Sequence, residues 1–237
     1  MKVGPSIVDY MTGMNTSIGI LTALYHRKVN GGEGQQVDVC LFDTVIASLS
    51  HWLQIYLVNG KTPPRRGTWG NGGMPAGVFR CTDGELMLVV GNDGQYARTC
   101  AVLGALELAT DPRYLKNNDR VVHGKEIMAI FAGLFLKNPV GHWLDELEKA
   151  GVPSGPINNF EQVFADEHVR ARGMQIKVKH PFEPELSLIR NPLTFSGTPV
   201  REYRAPPLLG ADTREVLASA LGYDEAKLDC LRKQGII

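Results

Sequence analysis

The stretch Asn59-Gly-Lys-Thr-Pro-Pro-Arg-Arg-Gly67 contains two adjacent prolines and no apolar side chain, so neither a helix nor a central strand can run through it. A chain interrupted in this way folds as separate pieces, and the patterning changes across the break. Helical spacing dominates before it, whereas a hairpin signal and short alternating runs follow it. A length of 237 residues suits one to two domains with a real core. Hydrophobic residues make up 43% of the chain and 25 Lys+Arg balance 25 Asp+Glu. This balance excludes disorder as the dominant state and leaves no basic field to collect a nucleic acid.

From Asp9 to Tyr25 the apolar positions Met14, Ile18, Leu21 and Tyr25 fall on one face of a helix. Gly13 and Gly19 interrupt it and suggest close approach of another backbone or a ligand. Cations and glycines in His26-Arg-Lys-Val-Asn-Gly-Gly-Glu-Gly34 end that helix. Val37, Val39 and Leu41 alternate with polar or small residues as a short strand, and one long apolar helix is expected from Phe42 to Val58.

Beyond the break, Gly70-Asn-Gly-Gly-Met-Pro75 reads as a loop, and Asp83-Gly84 between Val78–Thr82 and Glu85–Val90 predicts a hairpin. Helices are expected over 95–103, 124–136 and 141–150, the last stopped by Gly151-Val-Pro-Ser-Gly-Pro156. A short helix over 160–168, a strand over 174–179, extended chain over 192–207 and two terminal helices over 212–220 and 224–233 complete the pattern.

Cys40, Cys81, Cys100 and Cys230 lack CxxC spacing, which suggests neither a zinc site nor a disulfide framework and fits reduced thiols in a cytoplasmic setting. No apolar export segment precedes Asp9, and Asp38, Asp43, His51 and Gln54 interrupt the most apolar stretch, so no membrane span is expected. HExxH, GxSxG and P-loop motifs are absent, and the six His are scattered, so no metal site is expected. The glycines at 70, 72 and 73 follow no strand and precede no helix, unlike a dinucleotide fingerprint. By itself this is a surface loop, although its position between a proline linker and a stiff hairpin suits a lid. Asp9, at a helix start, by itself fits a plain capping carboxylate.

Pro5-Ser-Ile-Val-Asp9-Tyr-Met-Thr-Gly13, Ile18-Gly-Ile-Leu-Thr-Ala-Leu24, Gly32-Glu-Gly-Gln35 and Val37-Asp-Val-Cys-Leu-Phe-Asp43 together resemble the central block of the class III (CaiB/BaiF) CoA-transferases, the formyl-CoA transferase and carnitine CoA-transferase type. The resemblance continues in order through Gly72-Gly-Met-Pro75, Asp83-Gly84, Gly91-Asn-Asp93, Gly151-Val-Pro-Ser-Gly-Pro156 and Pro207-Leu-Leu-Gly210. It implies an α/β fold with an incomplete Rossmann-like large domain plus a small α+β domain. Residues 1–58 would belong to the large domain, 59–69 to a linker, 70–170 to the small domain, and 171–237 to a linker and a C-terminal return.

The resemblance further implies that Asp9 is the covalent nucleophile and that Gly70, Gly72, Gly73, Met74 and Pro75 form a substrate loop covering it. A carboxylate needs no general base for this task, since its reference pKa is about 3.9. Coenzyme A would enter as a thioester substrate, with no bound cofactor and no metal; the contacts that bind it are unassigned. The partners implied are an acyl-CoA of the succinyl or formyl type, an acceptor acid such as succinate, glutarate or oxalate, and a second copy of the chain in an interlocked homodimer. Met74 stands where formyl-CoA transferase-like members carry Gln, which bears on the choice of acceptor.

The family's upstream region, which supplies most contacts to CoA, has no counterpart before Met1. These residues are therefore expected to be the C-terminal portion of such an enzyme and by themselves to bind CoA weakly, transfer nothing and self-associate. Two other readings stay open: an α-methylacyl-CoA racemase, whose partner His would lie upstream, and a non-catalytic subunit.

Overall fold

A 23-residue helix, α1 (Ile7–Val29), opens the structure and runs past both ends of the span set by its apolar periodicity. In this computed structural model residues 3–70 and 72–237 are described, and the chain divides into two units between Gly72 and Gly73. Ser6 holds the N-cap position of α1 without a side-chain hydrogen bond, so Asp9 is not the cap but a residue of the first turn. The hydroxyls of Thr12, Thr16, Ser17 and Thr22 each donate to the carbonyl four residues back, at 2.7 to 2.9 Å. These bonds satisfy the polar side chains within the helix itself.

No residue of α1 is buried. The periodic face remains in the open, with Leu21 66% and Tyr25 70% exposed. Gly19 does meet a neighbour, because a Cβ there would lie 3.0 Å from Val37 Cγ1, whereas Gly13 faces open space. The neighbour at Gly19 is a side chain, so among the described residues neither glycine shows the close approach of another backbone that the sequence suggests.

The strand expected at Val37–Leu41 is not formed. Cys40 has extended dihedrals (φ −109°, ψ 138°), but every strand of the described residues lies beyond Gly73, so this segment has no ladder to join. The single long helix expected after it is two, α2 (Leu41–Ser48) and α3 (His51–Asn59), bent by 78°. At the break Ser50 takes φ 50°, a left-handed value that no helix can contain. Gly60 then caps α3 at φ 69°, where the absence of Cβ removes the strain.

The second unit is built on the hairpin that Asp83-Gly84 predicts. Strands β1 (Ala76–Arg80) and β2 (Glu85–Val89) pair antiparallel from Ala76↔Val89 to Arg80↔Glu85. A third strand, β3 (Ser154–Pro156), adds to the far edge of β2, an edge position that tolerates its proline. Helices α4 (Asp93–Val102), α5 (Leu106–Thr110), α6 (Asn117–Val122), α7 (Gly124–Phe135) and α8 (Val140–Lys149) follow; α7 packs on β1 and α8 on β2 and β3, while α4 contacts α5 and α8, and α6 contacts α7. The core is aromatic: Phe79 lies 4.9 Å from Phe135, which meets Trp143 edge-on at 5.4 Å. Trp143 Nε1 donates to the Phe135 carbonyl at 2.8 Å, so its one polar atom is satisfied. Asp83 has a second task beyond the turn, since its Oδ1 accepts from the Val140 amide at 2.8 Å and caps α8.

Beyond β3 the expected short helix is split into α9 (Phe160–Ala165) and α10 (Glu167–Ala171), because Asp166 leaves helical dihedrals at ψ 132°. Strand β4 (Gln175–His180) pairs antiparallel with β5 (Glu183–Ile189) as a separate two-stranded sheet. Helices α11 (Thr213–Leu221) and α12 (Glu225–Lys233) form where the sequence predicts them, although the Asp212 side chain at the N-cap of α11 makes no capping hydrogen bond. The architecture is thus mixed α/β, with two small sheets among helices in the described residues. Among the described residues no single helix is long and apolar enough to cross a membrane.

Candidate active site

Asp9 is the third residue of α1 and is exposed. No side-chain hydrogen bond or ion pair involves its carboxylate among the described residues, so its oxygens are unencumbered. The first-turn amides and the positive end of the helix dipole favour negative charge at this position. Thr12, one turn on, is turned back onto the Val8 carbonyl at 2.7 Å and does not compete for it.

The glycine segment spans the division between the two units, and Asn71 lies outside the described residues. Gly70 is half-buried and Gly72 exposed. Gly73 is held against the sheet: a Cβ there would sit 1.9 Å from the Val90 carbonyl oxygen. Glycine is needed at this position for close backbone approach, since neither Gly72 nor Gly73 takes a left-handed φ. Met74 is 2% exposed, and its Cε approaches Gly124 so closely that a Cβ there would lie 3.1 Å away. Pro75 is buried, and its carbonyl accepts from the Val90 amide at 3.1 Å. The loop that the sequence suggests as a lid is therefore tied down from Gly73 onward, and the Met74 side chain packs into the interior of its own unit.

Sequence reasoning missed the group that ties it. Arg120 of α6 is fully buried, and its Nε donates to the Met74 carbonyl at 2.7 Å. Nη1 donates to Tyr114 O at 2.8 Å, and Nη2 pairs with Asp93 Oδ1 at 2.8 Å. The guanidinium also stacks 4.3 Å over the Tyr96 ring. Its hydrogen bond to Arg120, with Lys116 3.6 Å from the second oxygen, holds the Asp93 carboxyl below the usual carboxylate range. Asp93 lies within Gly91-Asn-Asp93, but a lone arginine between Asp119 and Val121 carries no signal of burial.

Of the three cysteines in the second unit, Cys81 and Cys100 are buried and Cys230 is exposed. Burial pushes the Cys100 thiol up to about 11 and also raises Cys81, so both are protonated at neutral pH. Among the described residues no group of three or more His, Cys, Asp or Glu side chains could hold a metal ion.

The model of CoA-transferase family III matches residues 1–213, and the chain belongs to that family. It is 38% identical over 218 residues to the succinate–glutarate CoA-transferase of Agrobacterium fabrum, covering 92% of this chain and 54% of that protein. It is 32% identical over 237 residues to the human succinyl-CoA:glutarate CoA-transferase, covering 100% of this chain and 54% of that one. Among solved structures, a CAIB/BAIF family protein from Brucella suis superposes with a TM-score of 0.74 at 33% identity, covering 92% of this chain and 56% of that one. The chain spans about half the length of the curated relatives it matches.

Proposed function

We propose that the chain carries the nucleophile of a CoA-transferase that moves CoA from an acyl-CoA, of the succinyl or formyl type, to a carboxylic acid. Family membership supports the reaction class, and the names of the relatives support a dicarboxylate acceptor. The observation that carries the residue assignment is the exposed carboxylate of Asp9, without a partner among the described residues, in the first turn of a long helix.

In this reading a carboxylate oxygen of Asp9 attacks the thioester carbonyl, and CoA leaves as thiolate, giving an aspartyl mixed anhydride. The thiolate returns to the aspartyl carbonyl, releasing the donor acid and leaving an aspartyl-CoA thioester. The acceptor carboxylate attacks that thioester and expels CoA thiolate, giving a second mixed anhydride; the thiolate then attacks the acceptor's acyl carbon, which releases acyl-CoA and regenerates the Asp9 carboxylate. Every intermediate is hydrolysable, so water must be kept away, and the glycine segment is the part assigned to that task. Coenzyme A is substrate in this scheme, with no bound cofactor. The open face of α1, with Tyr10, Met14, Leu21 and Tyr25 all exposed, leaves apolar surface for other protein to cover. A second copy of the chain as partner and a cytoplasmic setting belong to the same reading.

Assays of this chain, alone and preceded by the upstream region of the Agrobacterium fabrum relative, test the reaction. Exchange of CoA between succinyl-CoA and a second dicarboxylate is expected in an active preparation. Loss of the acyl α-hydrogen in deuterated water without exchange would favour a racemase and overturn the proposal.

A further inference from the structure

The acceptors around Arg120 come from three separate places in the sequence. They are the Met74 carbonyl beside the glycines, the Tyr114 and Leu115 carbonyls at 2.8 and 3.3 Å ahead of α6, and Asp93 in the first turn of α4. Asn117, three residues before Arg120 on the same helix, accepts the Met74 amide on its Oδ1 at 3.0 Å. One short stretch of α6 therefore grips the amide and the carbonyl of a single residue, the one that follows the glycines. A guanidinium presents five donors in a rigid plane and can reach acceptors on several sides at once, which a lysine ammonium cannot do. Stability alone is a weak reason for such an arrangement, because a well-packed apolar group often serves as well as a buried charge. Fixing a backbone in one place is the role that the geometry describes.

We infer that Arg120 is a positioning residue: with Asn117 it clamps Met74, fixes the backbone at Gly73 and Met74, and through them keeps water from the acyl intermediates. The clamp stands on the geometry of the second unit alone, whereas its effect on water rests on the CoA-transfer reading.

Arg120→Lys tests it against Trp143→Phe, which strips a hydrogen bond from the Phe135 carbonyl at the opposite end of α7. That end lies eleven residues, about 17 Å along the helix, from Gly124 beside Met74. At equal folded fraction, amide exchange at Gly73 and Met74 is expected to rise about tenfold in Arg120→Lys and to stay unchanged in Trp143→Phe. In a preparation that transfers CoA, the ratio of thioester hydrolysis to transfer is expected to rise several-fold in Arg120→Lys only. If Arg120→Lys does not fold, Asn117→Ala removes the other half of the grip and should act in the same direction. Unchanged exchange, equal acceleration by the distant control, or faster exchange with an unchanged hydrolysis ratio would each overturn the inference. A protein that transfers no CoA even when preceded by the upstream region of the Agrobacterium fabrum relative would refute the functional reading alone, and the exchange comparison would still decide whether Arg120 holds Met74.

Discussion

Arg120 Nε and the Met74 carbonyl oxygen lie 2.7 Å apart across 46 positions of sequence, joining a buried cation to the residue that follows the glycine pair. This bond makes the glycine segment part of the folded interior of the second unit from Gly73 onward.

The two glycines are not equivalent, and alanine separates them. At Gly73 the added carbon would lie 1.9 Å from the Val90 carbonyl, a backbone atom that cannot swing aside, whereas at Gly72 nothing stands within 4 Å. Gly73→Ala is expected to cost about 2 kcal/mol or more, as overpacking does. Gly72→Ala should stay within about 0.5 kcal/mol in the same urea titration. Equal costs would contradict the close approach.

Asp93 makes the fold acid-sensitive. Its carboxyl is held down chiefly by the hydrogen bond from Arg120, so its contribution to stability is fully present above the unfolded value of about 3.9 and is lost as pH falls through the lower folded value. Asp111, Glu126, Glu146 and Glu185 are lowered by their own partners and contribute to the same slope, so a variant is needed to isolate one residue. Below about pH 4 the melting temperature of the wild type should fall more steeply than that of Asp93→Asn. Parallel curves would remove Asp93 from the account.

The hairpin turn is tied to a helix 57 positions away through Asp83, whose Oδ1 accepts the Val140 amide. Asp83→Ala should cost about 1 kcal/mol, the usual loss for a missing cap, with faster exchange in the first turn of α8. Asp83→Asn keeps an acceptor oxygen and should recover most of it.

What could be read from the sequence was local. The hairpin is written into Asp83-Gly84, and α1 and α7 into the spacing of their apolar residues, because each depends on neighbours within a turn or two. Val37–Leu41 alternates like a strand, but pairing requires another strand, which no local pattern supplies. The bend between α2 and α3 turns on Ser50 at a left-handed φ, and a serine carries no breaker signal. The glycine loop was visible, but its anchoring at Met74 was not, because that comes from Arg120, an ordinary surface residue by type. Its burial exists only because carbonyls from Met74 and Tyr114 and the Asp93 carboxylate converge on it.

The covalent role of Asp9 is tested most directly by trapping. The protein, in a preparation that exchanges CoA between dicarboxylates, is incubated with succinyl-CoA, then treated with hydroxylamine or borohydride, digested and mapped. One modified peptide is expected, the one holding Asp9, and neither modification nor turnover should survive in Asp9→Asn. Modification at another carboxylate, or an Asp9→Ala protein that keeps most of its turnover, would contradict the assignment.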